Sequence, residues 1–529
     1  MNLVMKNLYK VLLLSSLLVG SASCSDYLDT NPTDKTSGTT IFKDARNAEV
    51  AMNGIYRATY VAGWSVGNEH QNFGIQSSTM VAELMGDDYV QAEQGNGWFY
   101  FDYIYNSRTR WTSKAWRSYA QWNFYYTLIS NCNYIIAEEG KIPGDESLAN
   151  SVVAQAYAMR GYCYFQLAQQ FGQTLVGHED WQCVPVYTEP TTAQSVGKPR
   201  SSVKDVYAQI NSDLENALAL FEKSKVLQQK HPSHIDWYVT NAFKAQVALV
   251  EQNWTKAIDA ASNALTVPGK SLLQPSDLTK GFNNVALPST MWGANIIADQ
   301  STTFASYFSH MDSSDPDKYA AKSRKCVSSW LYSKVADNDP RKAWWKDPET
   351  TTNQSSGPNF KYNQVKFRFY DMTQGLGDYI YLRLEEMVLV KAEAECHAGQ
   401  YDNAATTLKD LMSKRLSSAD MTNYSAYLGN LTKSSNITFT QGTYGDVSTL
   451  MDEILLQRRI ELWGEGRRLF DIIRLKTGFT RNFPQTNHSD LLQTIDTSKP
   501  DSKYFIFPLP QSEFDGNTSL DIATDQNPV

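Results

Sequence analysis

The chain has 529 residues, with 48 Lys and Arg against 56 Asp and Glu, for a formal net charge of −8. That acidic balance, with no basic block, excludes a nucleic-acid binder, which needs a basic footprint; 42% hydrophobic and 20% charged residues exclude a disordered chain. No internal run reaches the roughly 20 apolar residues of a membrane-spanning helix, yet 13 Trp, 30 Tyr and 22 Phe form an aromatic excess that needs a home.

The first residues read as an address. Lys6 and Lys10 precede the apolar stretch 11–19, and Ser21, Ala22 and Ser23 lead directly into Cys24. Basic, apolar, then small is the order of a secretory signal peptide. A cysteine right after the small residues predicts removal of residues 1–23 and lipidation of Cys24, although Ser21 stands where lipoprotein leaders usually carry Leu. Two or more acyl chains give stable anchoring, whereas one does not. Losing the leader deletes Lys6 and Lys10 and no acid, which takes the net charge from −8 to −10. Lipid, and not protein charge, must then hold the membrane. Residues 24–42 read as anchor and tether. Cys132, Cys163, Cys183, Cys326 and Cys396 form no disulfide framework or CxxC metal pair; they read as small buried residues.

Residues 43–529 are expected to form one mostly α domain. Residues 44–60 open with an acidic N-terminal residue and place Val50, Ile55 and Tyr56 on one side of a helix. Further helix pairs are expected around 114–172, 203–265, 379–415 and 450–476, with loop-rich regions at 61–112 and 266–378. In 152–171, Ala154, Tyr157, Ala158, Gly161, Tyr164, Phe165 and Ala168 recur at spacings of three and four. Small residues facing large ones let helices approach closely. Two segments, 241–265 and 381–411, share the order helix, short polar turn, aromatic-x-x-Ala, helix, with Trp254 and Tyr401 as the aromatics. That is the core of a tetratricopeptide repeat, whose period is about 34 residues. These copies lie too far apart for a visible tandem array, so long excursions must interrupt the hairpins.

The strongest local pattern is DEILLQRRIELWGEGRRLFDIIRLK at 452–476. An apolar stripe (Ile454, Leu455, Leu462, Leu469, Phe470, Ile473) runs beside Arg458, Glu461, Glu465, Arg467, Arg468 and Asp471. Pairs three or four apart, such as Arg458–Glu461, Glu465–Arg468 and Arg467–Asp471, are expected to meet on the helix surface. Such a pattern is a structural ion-pair network rather than an acid–base site, with Gly464 and Gly466 marking a bend or close packing.

These pieces together carry a family resemblance. The leader followed by CSDYLD from Cys24, AQAYAMRGYCYFQLAQQFG at 154–172, YIYLRLEEMVLVKAEAECHAGQ at 379–400, RRIELWGEGRRLFDIIR at 458–474 and FIFPLPQSEFDGN at 505–517 resemble the SusD/RagB family of surface lipoproteins. The resemblance implies an α-helical fold on four tetratricopeptide-like helix pairs with an irregular, loop-rich ligand-binding region laid over them. It further implies a lipoprotein at the outer face of the outer membrane, capping a SusC-like TonB-dependent transporter. Such proteins bind a glycan, or in some members a peptide, and deliver it without chemistry. In the family the helical-repeat side usually faces the transporter and loops elsewhere hold ligand.

Sugar rings stack their C–H faces on aromatic planes and need polar groups at the edge, and rigid aromatics lose little side-chain entropy on binding. Two stretches combine these types. The stretch 64–110 holds Trp64, His70, Asn72, Phe73, Asp87, Asp88, Trp98, Phe99, Tyr100 and Arg108, with Trp64, Asn72, Phe73, Asp87, Asp88 and Trp98 as the candidates; 292–319 holds Phe304, Tyr307, Phe308, His310 and Asp312, with Tyr307 and Phe308 as the candidates. Gln94-Gly95-Asn96-Gly97-Trp98 reads as a loop tip presenting a tryptophan. Asp87 and Asp88 have local capping or pairing as their other reading. Residues 312–317 (DSSDPD) lack the alternating carboxylates and glycine of an EF-hand loop and read as a polar turn. No HExxH, GxSxG or P-loop pattern occurs, so no catalytic residue, metal or cofactor is assigned. The competing classes are a non-catalytic glycan-binding lipoprotein and a surface glycoside hydrolase of helical fold, which needs two carboxylates roughly 5–10 Å apart.

Overall fold

The computed structural model describes residues 41–109, 112, 116–300, 305–438, 446–492 and 495–529. The leader, Cys24 and the tether up to residue 40 lie outside the described residues. Twelve helices of eight or more residues are found among the described ones. They are α1 (Ala45–Ala58), α2 (Ile75–Leu84), α3 (Trp116–Ile136), α4 (Glu146–Phe171), α5 (Val203–Ser224) and α6 (Trp237–Val250). The rest are α7 (Trp254–Leu265), α8 (Leu384–His397), α9 (Tyr401–Met412), α10 (Ser418–Asn430), α11 (Leu450–Glu461) and α12 (Arg468–Leu475).

Local chemistry sets where these helices start. The Asp44, Asp145, Ser202, Asp236 and Asn253 side chains each accept a backbone N–H of the first turn, and Thr449 with Asp452 forms a capping box on α11. On α1 the buried face is Ala48, Met52, Ile55 and Tyr56, while Val50 is 67% exposed. The expectation for Val50 fails because it lies off the stripe of residues three and four apart.

The helices stack in succession, α3 on α4, α4 on α5, α5 on α6, α6 on α7, α7 on α8 and α8 on α9 and α11. The mostly α, tetratricopeptide-like hairpin scaffold expected from the sequence is what forms. At Gly161, an added Cβ would sit 3.3 Å from both Asp213 and Leu214 of α5, which is how closely α4 and α5 approach. Beside it the Arg160 guanidinium holds Asp213 at 2.6 Å, both groups buried. The two similar hairpins, α6–α7 and α8–α9, are neighbours in space although 266–378 separates them. Trp254 of α7 stacks on His397 of α8 at 4.2 Å between ring centroids. All five cysteines from Cys132 onward are buried and free.

The loop-rich regions are stitched together by two short antiparallel ladders. β1 (Tyr89–Gln91) pairs with β3 (Lys325–Val327), and β2 (Thr290–Ala294) pairs with β4 (Tyr379–Arg383), which runs directly into α8. Each ladder joins segments distant in sequence, and all strand residues of β1, β2 and β3 are buried.

Ion pairs do the rest of the fastening. At the end of α11 the buried Glu461 carboxylate accepts from Arg341 (3.0 Å), Arg383 (2.8 Å) and Arg415 (2.8 and 3.0 Å). Burial pushes its carboxyl up, but Arg415, Arg383 and Arg341 outweigh that and hold it well below the usual carboxylate range. Glu465 pairs with Arg383 and Lys366, Arg458 with Asp471 at 2.7 Å and Arg467 with Glu386 at 2.8 Å. The i, i+3 and i+4 pairs expected along 458–471 therefore do not form. Gly464 and Gly466, both at positive φ, break the helix between α11 and α12, so these charges meet partners on other elements. The two glycines also pack tightly, Gly464 on Phe367 and Gly466 on Thr79. Glu83 of α2 accepts the N–H groups of Gly466 (2.8 Å) and Arg467 (2.9 Å), capping α12 from outside.

Removing one partner of a buried ion cluster leaves an uncompensated charge. Glu461→Gln is expected to lower unfolding free energy by about 3–5 kcal/mol, read from the urea midpoint. Wild-type stability in that variant would show that the cluster does not hold the helices together.

Candidate functional site

The sequence-predicted residues divide into a buried set and a partly exposed set. Phe73, Tyr307 and Phe308 are at most 2% exposed, and Asn72, Asp87 and Asp88 are also buried. Their roles are internal. Asn72 closes its own loop, its Nδ2 donating to the Val66 carbonyl at 2.9 Å. Tyr307 donates its hydroxyl to the Gly464 carbonyl at 2.9 Å, and Phe308 packs on Gly377, where no Cβ would fit. Asp87 and Asp88 share two arginines. Arg468 Nε reaches Asp87 at 2.6 Å, and Arg459 reaches Asp88 at 2.5 Å and Asp87 at 3.2 Å. Burial pushes the Asp87 carboxyl up, yet Arg468 and Arg459 pull it well below its ordinary range. These six side chains thus offer no face to a sugar here; the need to bury aromatics and compensate charge claims them first.

Trp64 and Trp98 remain partly exposed. Trp64 leans edge-on against Phe124 of α3, centroids 6.2 Å apart. Trp98 belongs to a layered aromatic corner. It stacks on His70 at 5.0 Å with planes 15° apart, and Tyr319 meets both rings edge-on at 6.0 and 6.5 Å. One hydrogen bond of 2.7 Å joins Tyr319 Oη to His70 Nδ1. Beneath this layer lie the buried rings of Phe73, Phe99 and His310, with His310 stacked on Tyr319 at 4.7 Å.

The Arg117 guanidinium, paired with Asp102 at 2.7 Å, lies over the Phe99 ring of the floor at 4.9 Å. Burial drives the His310 imidazole well below its ordinary pKa, so the ring is neutral. Its Nε2–H donates to the His70 carbonyl at 2.7 Å, which leaves Nδ1 as the bare nitrogen and indeed without a partner. That bond and the Tyr319 bond hold His70 from both sides, and His70 in turn sets the plane of Trp98.

The glycines before Trp98 act differently from the sequence expectation. Gly95 has φ +55° and lies so close to Lys322 and Ser323 that a Cβ would be 2.9 Å from the Lys322 carbonyl oxygen. The loop is therefore pressed onto the 319–323 segment instead of projecting from it. Trp98 is a shelf rather than a tip. The residue after it, Phe99, takes φ +61° and donates its N–H to Gln71 Oε1 at 2.8 Å, which tightens the same corner. His70 belongs to the first candidate stretch and Tyr319 ends the second, but nothing in spacing links residues 249 apart, so their pairing beside Trp98 was not legible in sequence. The 312–317 run is a polar turn as expected, with Asp312 accepting the Ser314 and Phe369 N–H groups, both at 3.0 Å.

This arrangement provides a flat, partly exposed indole and phenol fixed on a buried aromatic base. It can hold an uncharged ring by stacking, and Gln94 and Asn96 are exposed in the loop just before Trp98. The fold around it is widely shared. The chain superposes on a SusD-like carbohydrate binding protein from Bacteroides vulgatus with a TM-score of 0.74 at 26% identity, covering 90% of this chain and 98% of that one. It also matches the surface glycan-binding protein A from Bacteroides uniformis with a TM-score of 0.63 at 18% identity, over 91% and 99% of the two chains. The SusD-like protein P2 of Formosa agariphila is 23% identical over 539 residues, 95% of this chain and 97% of that one. The family model described as "Starch-binding associating with outer membrane" matches residues 26–242, and the SusD family model matches residues 281–529. With both parts of the fold matched and the helical scaffold in place, the chain belongs to the SusD family.

Proposed function

We propose that the protein is a non-catalytic surface lipoprotein that captures a glycan and hands it to a SusC-like TonB-dependent transporter in the outer membrane. The observation that carries this reading is the Trp98–His70–Tyr319 corner, a preorganised aromatic shelf preceded by a loop with exposed amides, Gln94 and Asn96. Stacking on such a shelf costs little side-chain entropy, because the rings are already held. The family-model description, starch binding at the outer membrane, and the carbohydrate-binding relative from Bacteroides vulgatus support the same ligand class. Lipidation at Cys24 supplies the membrane attachment in this reading.

A hydrolase would need two carboxylates facing each other across a sugar cleft. The carboxylates that the sequence offered in this region, Asp87 and Asp88, are turned inward onto Arg459 and Arg468, which favours capture over cleavage.

Affinity electrophoresis and calorimetry against a polysaccharide panel test the function. Retardation without released oligosaccharide is expected; cleavage products would overturn the non-catalytic reading. Trp98→Ala is expected to weaken binding by about 1–3 kcal/mol, the scale of a binding hot spot, without loss of fold by circular dichroism. Unchanged affinity would remove the corner from the site. Cys24→Ala is expected to move the protein from the membrane fraction to the soluble one, and a variant that still sediments with membranes would contradict lipidation.

A further inference from the structure

A second cleft, of about 730 Å³, runs along one face of α3 and shares no residue with the Trp98 corner. That volume is in the range of small-molecule sites, about 300–1,000 Å³. Tyr119 and Tyr126 of α3 supply one wall, with Trp122 between them buried at 5% exposure, and the 187–198 segment, with Tyr187, supplies the other. The helical repeat explains the first wall, since residues three, four and seven apart share a face.

The aromatic walls are held by their polar ends. Trp122 Nε1 donates to Glu513 Oε2 at 3.0 Å, and the Tyr126 hydroxyl donates to the Pro185 carbonyl at 2.7 Å. The Tyr187 hydroxyl accepts the Lys198 N–H at 3.0 Å. The 187–198 segment is itself tied down. Asn133 Nδ2 donates to the carbonyls of Tyr187 and Glu189, both at 3.1 Å, and Asn517 Nδ2 donates to the Lys198 carbonyl at 2.8 Å. At Gly197 there is no room for a Cβ against Asn517. This wall is preformed, so a ligand would not have to order it.

The groups left over at the rim are polar and unused. Among the described residues, the exposed Glu189 carboxylate and the Gln194 side-chain amide make no hydrogen bond within the chain, and the Tyr119 ring is 38% exposed. Both Glu513 oxygens are occupied, by Trp122 and by Asn517. The Lys198 ammonium is bound to the Val186 carbonyl and lies 5.6 Å from the Tyr187 ring centroid. Neutral hydrogen-bond partners leave these charges intact, so two carboxylates, Glu189 and Glu513, against the one Lys198 ammonium leave the rim net negative, which disfavours an acidic ligand. Aromatic faces, an amide and a carboxylate acceptor are what the C–H faces and hydroxyls of a neutral sugar require.

We propose that this cleft is a second, separate site for a neutral oligosaccharide. The proposal rests on the glycan-capture reading above and adds a site to it. The two sites share a frame, because Asn123 Nδ2 of α3 donates to the Ser65 carbonyl at 2.8 Å and Trp64 packs on Phe124, bracing α3 against the loop that carries His70. One long glycan engaging both would bind by an effective-concentration gain rather than by new contacts.

Calorimetry with malto-, fructo-, xylo- and manno-oligosaccharides separates the possibilities. For a sugar that binds wild type, two sites per chain are expected. Trp98→Ala should leave one of them intact, and the Tyr119→Ala, Gln194→Ala double variant should weaken the other at least tenfold. Both substituted side chains lie at the rim, and circular dichroism checks that the double variant is folded. A single site abolished by Trp98→Ala, with the double variant unchanged, would overturn the second site and leave the glycan reading standing. Loss in the double variant with Trp98→Ala unaffected would keep this cleft and remove the Trp98 corner. Failure of all four sugar classes to bind wild type would overturn both.

Discussion

The burial of Glu461 is the constraint on which the rest of the structure depends. Three guanidiniums, Arg341, Arg383 and Arg415, converge on one carboxylate with every partner at most 1% exposed. Desolvating such charges costs several kcal/mol each and is offset only when geometry and hydrogen bonding are both satisfied. Arg341 comes from the long excursion between α7 and α8, Arg383 from β4, and Arg415 from the turn after α9. The cluster therefore admits one relative placement of three segments far apart in sequence. Register, more than raw stability, is what it supplies.

The same helix and its neighbour α12 position the proposed ligand side through their charges. Arg459 on α11 and Arg468 on α12 hold Asp87 and Asp88, which immediately precede β1. β1 pairs with β3, and β3 follows the turn bearing Tyr319. Charge compensation at the C-terminal helices thus fixes the strand that brings the 70–99 and 310–323 segments together. Phe73, Phe99 and His310 fill the space behind them. The aromatic corner is rigid because it is the outer layer of a core, and a rigid shelf is what weak stacking on a sugar face needs.

Much of the scaffold was legible because its signals are local. The α3–α4 hairpin follows from small and large residues at spacings of three and four, although α4 starts at Glu146, capped by Asp145, about one and a half turns before the 152–171 stretch that the spacing marks. The two similar hairpins around Trp254 and Tyr401 were legible one at a time, but not their contact. α7 and α8 pack together across the 266–378 excursion because each would otherwise leave an apolar face unpaired. Local reasoning failed for Val50, which is apolar yet off the buried stripe, and for the charges of 458–471. There, two glycines at positive φ end one helix and start another, so residues that an unbroken helix would pair are aimed at different partners.

Acidity, the lipoprotein-like leader, the helix hairpins and the family were determined by the sequence by itself, because composition, short motifs and helical periodicity are properties of neighbours along the chain. Which residues face outward in the proposed ligand region was decided only by the tertiary structure. Of the eight residues picked out for sugar contact, six are claimed by the core or by arginine partners, and the Gly-flanked Trp98 lies back on His70. The partners that give Trp98 its plane, and the separate cleft along α3, come from residues tens to hundreds of positions apart. Aromatic and acidic residues look alike in sequence whether they pack inward or face a ligand. Which they do depends on whether the fold needs them for apolar burial and charge compensation, and that competition is settled only when distant segments meet.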